Sequence, residues 1–339
     1  MNLKKSAEPK FKLIFVALHL TYVCGNKCAY CYIGDEGRKK HPSFKKIELV
    51  IKKLAQSKIT HLLLVGGDPC IYPDLKETVE LAKKSGMNIY ILSNTLNFDK
   101  KNLDYFISNI DEFHATIQGY DEKTHDLEAG RKGAYKTLLK NIRILNKNDT
   151  PIGIELSIHA DNHKNIFKII QNLVEKEKIK ILELCVQRIV PCGRAAKNPK
   201  YAIRKEQILI IFDQLQQIRQ NYGLKINFED PFPLCTIPKE YRSLQNKVCE
   251  WGFTKASVNF KGDLSRCGAD TRFLLGNILK TDNVQELWNK NSILVDFRSR
   301  KWLPKQCKNC KLLEKCGGGC SLSRITNKDH DCDALCPFC

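Results

Sequence analysis

The sequence predicts an α/β fold, a partial (β/α)6 TIM-like barrel followed by a cysteine-rich C-terminal domain, on two observations. Over the first two thirds of the chain, short β-rich apolar runs alternate with helical periodicities, and strands joined through helices run parallel because a parallel pair needs a crossover connection. Beyond residue 228 the long periodic runs stop, and ten of the sixteen cysteines crowd into the remainder.

The strands are expected at 13–20, 61–65, 88–92, 113–117, 152–158 and 179–190. Between the first two, Ser43 is placed to cap a helix whose Ile47, Val50, Ile51 and Leu54 recur on one face. Leu138, Ile142, Leu145 and then Ile208, Ile211, Phe212, Leu215 repeat that spacing. Six such units make an incomplete barrel, whose ligands belong at the carboxyl ends of the strands. The expected division is a tail at 1–10, the barrel at 11–228 and the cysteine-rich domain at 229–339. Prolines 231, 233 and 238 interrupt the last of these, so metal ligation rather than an apolar core is expected to hold it.

The chain has 339 residues, 42% hydrophobic and 27% charged, which excludes disordered, collagen-like and coiled-coil classes. The apolar run 13–24 is broken by His19 and Thr21 and falls short of the roughly 20 residues that cross a bilayer, so no membrane association is expected. Tyr22 and Val23 are bulky where a signal-peptide cleavage site needs small residues. A cytoplasmic protein is therefore expected, in which closely spaced thiols are metal ligands rather than disulfides.

Cys24-Gly-Asn-Lys-Cys28-Ala-Tyr-Cys31 follows the first strand. Three thiolates on a short loop can hold three irons of a [4Fe–4S] cube and leave the fourth open to a ligand. A zinc knuckle completed by Cys70 is the plain alternative. With its position at a barrel mouth, this triad resembles the signature of the radical SAM superfamily. The resemblance implies S-adenosylmethionine (SAM) contacts at Tyr30, at Gly66-Gly67-Asp68-Pro69 (G-G-E-P in the family), at Ser93 and Asn94, at Thr116 and Gln118, and at Arg131.

A second pattern runs Cys249-x12-Gly262-x4-Cys267, Cys307-x2-Cys310-x5-Cys316-x3-Cys320, and then Cys332, Cys336 and Cys339. It resembles the SPASM domain, which implies two auxiliary [4Fe–4S] clusters and three in all. One would take Cys249, Cys267, Cys320 and, upstream, Cys235, or else leave its fourth iron open to substrate; the other would take Cys307, Cys310, Cys316 and Cys336, with Cys332 and Cys339 as competitors for the last place. Asp270 is the candidate general base. Gly317-Gly318-Gly319 is expected to bring backbone N–H groups toward cluster sulfurs. Cys185 reads as a core residue, and Cys192, in Arg188-x2-Pro191-x-Gly193-Arg194, as one facing substrate or making a turn.

The resemblance implies an enzyme that reductively cleaves SAM to a 5′-deoxyadenosyl radical and abstracts hydrogen from a substrate. The expected substrate is a ribosomally made peptide or protein side chain. A tetrapyrrole side chain is one alternative, and a non-catalytic iron–sulfur electron carrier another. The formal charge of +19, from 56 basic and 37 acidic residues, favours acidic partners, such as a low-potential ferredoxin or flavodoxin. Nucleic acid is not among the expected partners, since no nucleic-acid-binding signature occurs.

Overall fold

Alternating inward and outward side chains along each strand build one curved sheet. In the computed structural model, which describes residues 11–35, 40–95, 100–245, 247–269, 273–324 and 331–339, the first six strands are β1 Phe15–Thr21, β2 His61–Gly66, β3 Asn88–Ser93, β4 Glu112–Ile117, β5 Ile152–Ile158 and β6 Glu183–Arg188. They pair in parallel and in sequence order.

Two strands beyond the expected six widen the wall. β7 Lys225–Phe228 adds parallel to β6, and β8 Lys255–Asn259, from the cysteine-rich region, pairs parallel with β1 from Phe15↔Lys255 to His19↔Asn259. The antiparallel β9 Asp263–Ser265 and β10 Leu274–Asn277 complete the order β10-β9-β8-β1-β2-β3-β4-β5-β6-β7. The sixth strand is shorter than the expected 179–190, because the chain at 177–182 turns into it from a helix.

Helices cover the outer face. α1 Phe44–Gln56 buries Ile47, Val50, Ile51 and Leu54, and fully burying each such side chain contributes about 1.5–3 kcal/mol. Ser43 stands at its N-cap, but its side chain makes no capping bond. α2 Leu75–Lys84, α3 Lys100–Asn109, α4 Glu122–Ala129, α5 Ala134–Lys147, α6 Ile166–Gln171 and α7 Ile208–Tyr222 follow. α5 buries Leu138, Ile142 and Leu145, and α7 buries Ile208, Ile211, Phe212 and Leu215.

Residues of the opposite strand face enclose a cavity of about 400 Å³, lined by Phe15 and Ala17 of β1, Leu63 of β2, His114 of β4, Glu155 of β5 and Cys185 of β6. One flank of this lumen is apolar and the other polar. Among the described residues, no helix is long and apolar enough to cross a membrane.

Candidate active site and iron–sulfur ligands

The loop after β1 carries Cys24, Cys28 and Cys31, and all three line the cavity. Backbone bonds fasten it on several sides. Lys27 N–H donates to Ala129 O at the end of α4 (2.8 Å), Asp68 N–H to Val23 O (2.9 Å) and Arg194 N–H to Cys31 O (2.9 Å). Arg194 Nη1 also donates to Cys28 O at 3.0 Å. The Cys24 sulfur accepts from Asn94 Nδ2 (3.3 Å) and from the Asn26 N–H (3.4 Å). Burial, then the neighbouring Cys31 and Cys24, push the Cys28 thiol up to about 12, so a bound cation is what would favour its thiolate. Cys70 lies beside Asp68 and Ser93.

Gly66 and Gly67 are required by a close approach. A Cβ at Gly66 would lie 2.1 Å from Thr21 O, and one at Gly67 2.1 Å from Val23 O. Asp68 is fully buried; its Oδ1 accepts from Ser93 Oγ (2.6 Å) and Cys70 N–H (3.1 Å), while Oδ2 has no hydrogen-bond partner among the described residues. Burial, opposed by those two bonds, raises its carboxyl to about 6. Pro69 opens a short helical turn that Asp68 caps. Gly66, Gly67, Ser93, Asn94, Thr116, Gln118 and Tyr30 line the cavity, whereas Asp68, Pro69 and Arg131 stand outside its lining.

Buried polar atoms without a partner among the described residues gather at these strand ends: Asn26 Oδ1, Tyr30 OH, Asp68 Oδ2, Thr95 Oγ1 and Gln118 Oε1. Such atoms need a polar partner, which SAM would provide for those that line the cavity, Asn26, Tyr30 and Gln118. Tyr30 packs against His159 and Tyr201, with ring centres 5.1 and 5.4 Å away.

The C-terminal thiols form two sets. Cys249, Cys267 and Cys320 surround Asp230, whose Oδ1 lies 3.7 Å from the Cys320 sulfur. Burial, opposed by Arg188, raises Asp230 to about 7. Cys192 shares a buried cluster with Cys267 and Cys320. Cys235 is not in this set, contrary to expectation. It stands against Cys336, Cys316 and Cys307, because the turn at 231–236 carries it there and Leu234 N–H donates to the Cys316 sulfur at 3.3 Å. Cys310 neighbours Cys307, and Cys332 and Cys339 are joined as a disulfide.

Two of the three glycines do not point their N–H groups at sulfur as expected. Gly317 N–H and Gly319 N–H bond to the Leu313 and Cys316 carbonyls, and a Cβ at Gly319 would meet Asp333 Oδ2 at 2.4 Å. Asp270 lies outside the described residues.

Among the described residues, only His114, Glu183 and Cys185 bring three donor atoms all within 4.8 Å of one another. No three cysteine sulfurs among the described residues come that close together, and each set brings three or more thiols to one place, as a cluster with its ligands on different irons requires. The donor sets therefore fit iron–sulfur clusters. Sequence reading missed Asp230, which follows the unrecognised β7, and the polar lumen residues, which lie singly among apolar neighbours.

Comparison with known proteins agrees with this geometry. Residues 18–173 match the radical SAM superfamily, and residues 249–311 match SPASM, an iron–sulfur cluster-binding domain. The chain is 25% identical over 308 residues to the sporulation killing factor maturation protein SkfB of Bacillus subtilis (strain 168), covering 89% of this chain and 69% of that one. Streptococcus suis SuiB bound to S-adenosylmethionine has the same fold, with a TM-score of 0.76 at 17% identity over 97% of this chain and 78% of that one. So does anSMEcpe with bound AdoMet and a peptide, with a TM-score of 0.73 at 16% identity over 96% and 94%. The chain thus carries a radical SAM domain followed by a SPASM iron–sulfur cluster-binding domain.

Proposed function

We propose that the protein is a peptide-modifying radical SAM enzyme acting on a side chain of a ribosomally made peptide or protein. The observation that carries this reading is the single cavity lined both by Cys24, Cys28 and Cys31 and by Cys267 of the other domain's first thiol set. An electron carrier needs no chamber between its metal sites, whereas an enzyme acting on a substrate does. The relatives support the substrate class: SkfB is a maturation protein, and SuiB has been crystallised with its precursor peptide SuiA.

When bound, a [4Fe–4S] cluster at Cys24, Cys28 and Cys31 together with SAM supplies a 5′-deoxyadenosyl radical for hydrogen abstraction. This chain's residues hold, orient and shield. Asn94 and the Asn26 N–H fix the Cys24 sulfur. Tyr30, Gln118 and Asn26 offer polar atoms to SAM. Phe15, Ala17, Leu63, Val65 and Leu92 form a dry flank of the chamber. Asp230, raised to about 7 by burial and facing the cavity, is placed to accept a substrate proton near neutral pH. The first auxiliary cluster is assigned to Cys249, Cys267 and Cys320. The second is assigned to Cys307, Cys310, Cys316 and Cys336, with Cys235 beside it. A cytoplasmic setting and an acidic low-potential donor, ferredoxin or flavodoxin, suit the +19 charge.

The test is anaerobic incubation of the reconstituted protein with SAM, a low-potential reductant and any short peptide encoded beside its gene. Formation of 5′-deoxyadenosine with a mass change in the peptide is expected. Peptides left unchanged while a tetrapyrrole is modified would overturn the substrate class.

A further inference from the structure

We propose that the lumen holds a mononuclear divalent transition metal, zinc or ferrous iron, on His114, Glu183 and Cys185, with Glu155 beside them. The proposal does not depend on the radical chemistry. It follows from how three adjacent strands are registered. His114 of β4 pairs with Gly153 of β5, and Gly153 pairs with Glu183 of β6. Since Gly153 has no side chain, His114 reaches across it; a Cβ there would lie 2.7 Å from His114 Nδ1. Glu155 pairs with Cys185 in the next inward row.

The donor atoms of His114, Glu183 and Cys185 all lie within 4.8 Å of one another, close enough to draw in around one ion. His114 Nδ1 is 3.8 Å from the Cys185 sulfur and 3.2 Å from Glu155 Oε1. The Cys185 sulfur is 3.5 Å from Glu183 Oε1. A tetrahedral ion with ordinary zinc bond lengths separates such donors by about 3.3–3.7 Å. The mixture of imidazole, thiolate and carboxylate suits zinc or ferrous iron and not calcium or magnesium.

The imidazole and both carboxylates are also oriented from behind, as groups at a metal usually are. His114 Nε2 faces Glu112 Oε2 at 3.3 Å, which leaves Nδ1 as the ligand. Glu155 Oε2 accepts from Gln187 Nε2 at 3.0 Å, and Glu183 Oε2 accepts from Lys225 Nζ and Asn227 Nδ2, both at 2.7 Å. The four residues are 3–9% exposed, with Cys185 the least, yet all line the cavity, so an ion can enter. Without an ion, the same atoms close a hydrogen-bond network around a protonated His114.

The test uses the iron–sulfur-reconstituted protein, incubated with zinc and desalted through a chelator. We expect about one zinc per chain retained beyond the iron, with a zinc-edge absorption spectrum showing one sulfur and three nitrogen or oxygen neighbours. His114→Ala and Cys185→Ser should each lower retained zinc at least tenfold while iron and sulfide stay unchanged. An anomalous peak between His114, Glu183 and Cys185 in wild-type crystals reads the same site without a variant. No retained zinc, a zinc shell of three or four sulfurs, or equal retention in both variants would overturn the proposal.

Discussion

Arg188, at the end of β6, and Asp333, 145 residues later, form a bidentate ion pair whose side chains are 3% and 0% exposed. Arg188 Nη2 also donates to Pro231 O at 3.0 Å, and Asp333 Oδ2 accepts from the Cys320 N–H at 2.7 Å. One contact thus ties the barrel to the tail and orients a proposed cluster ligand.

Removing one partner of a buried pair leaves the other charge uncompensated, a cost of about 3–5 kcal/mol. Asp333→Ala should therefore destabilise the holoprotein by that amount in anaerobic urea unfolding. Asp333→Asn keeps an acceptor for the Cys320 N–H and should cost less. An alanine variant as stable as the wild type would show that the pair contributes nothing.

The three thiols after β1 and the C-terminal sets rest on separate elements. Replacing Cys24, Cys28 and Cys31 together by Ala should abolish reductive SAM cleavage while leaving about eight of roughly twelve irons bound. Iron and sulfide analysis and 5′-deoxyadenosine assay check this. Continued 5′-deoxyadenosine formation would remove the triad from the chemistry.

His19 and His125 are buried and neutral, each pushed down to about 4 by desolvation. The Nδ1 of His125 accepts the Gln118 N–H at 3.2 Å, which requires it unprotonated. In the unfolded chain imidazole titrates near 6.5, so the unfolded state binds the extra proton. Stability from these groups is present above about pH 6.5 and is lost as the pH falls toward 4. Between about pH 7.5 and 5.5 each histidine should account for on the order of 1 kcal/mol of that loss. Urea unfolding of wild type and His125→Gln at both values should show the shallower slope in the variant.

The sequence makes β1 to β6 and their covering helices legible because burial on both strand faces yields apolar runs, and helices such as α1 keep a clean face. β7 escapes because it has four residues and one buried side chain, and β8 because it lies among cysteines that read as ligand-bearing loop. That second omission hides how the cysteine-rich region joins the barrel wall, through Phe15↔Lys255 and its neighbours. The triad is legible from its spacing after the first strand, and the strand-end polar residues from the family resemblance joined to their position. His114, Glu155 and Glu183 are not, because only the register across Gly153 brings them together. Cys235 misleads for a related reason: spacing places it near Cys249, but a proline-shaped turn carries it to Cys316 and Cys336.

The tail offers three cysteines for one ligand position, and the fold separates them. Cys336 is buried and faces Cys307 and Cys235, whereas Cys332 and Cys339 are bonded to each other. Loss of a ligand leaves an iron open or recruits another thiol, so Cys336→Ala should alter one auxiliary signal in the EPR spectrum. Cys235 is the thiol positioned to step in, and a Cys235→Ala, Cys336→Ala double variant should lose the second auxiliary cluster, about four irons. Metal binding is coupled to folding, so both changes should lower Tm, the double more than the single. Substrate-independent SAM cleavage should survive, because it depends on the loop after β1. If Cys339→Ala reproduces these losses while Cys336→Ala leaves the spectrum unchanged, the terminal ligand is Cys339 and the disulfide does not form in the holoprotein.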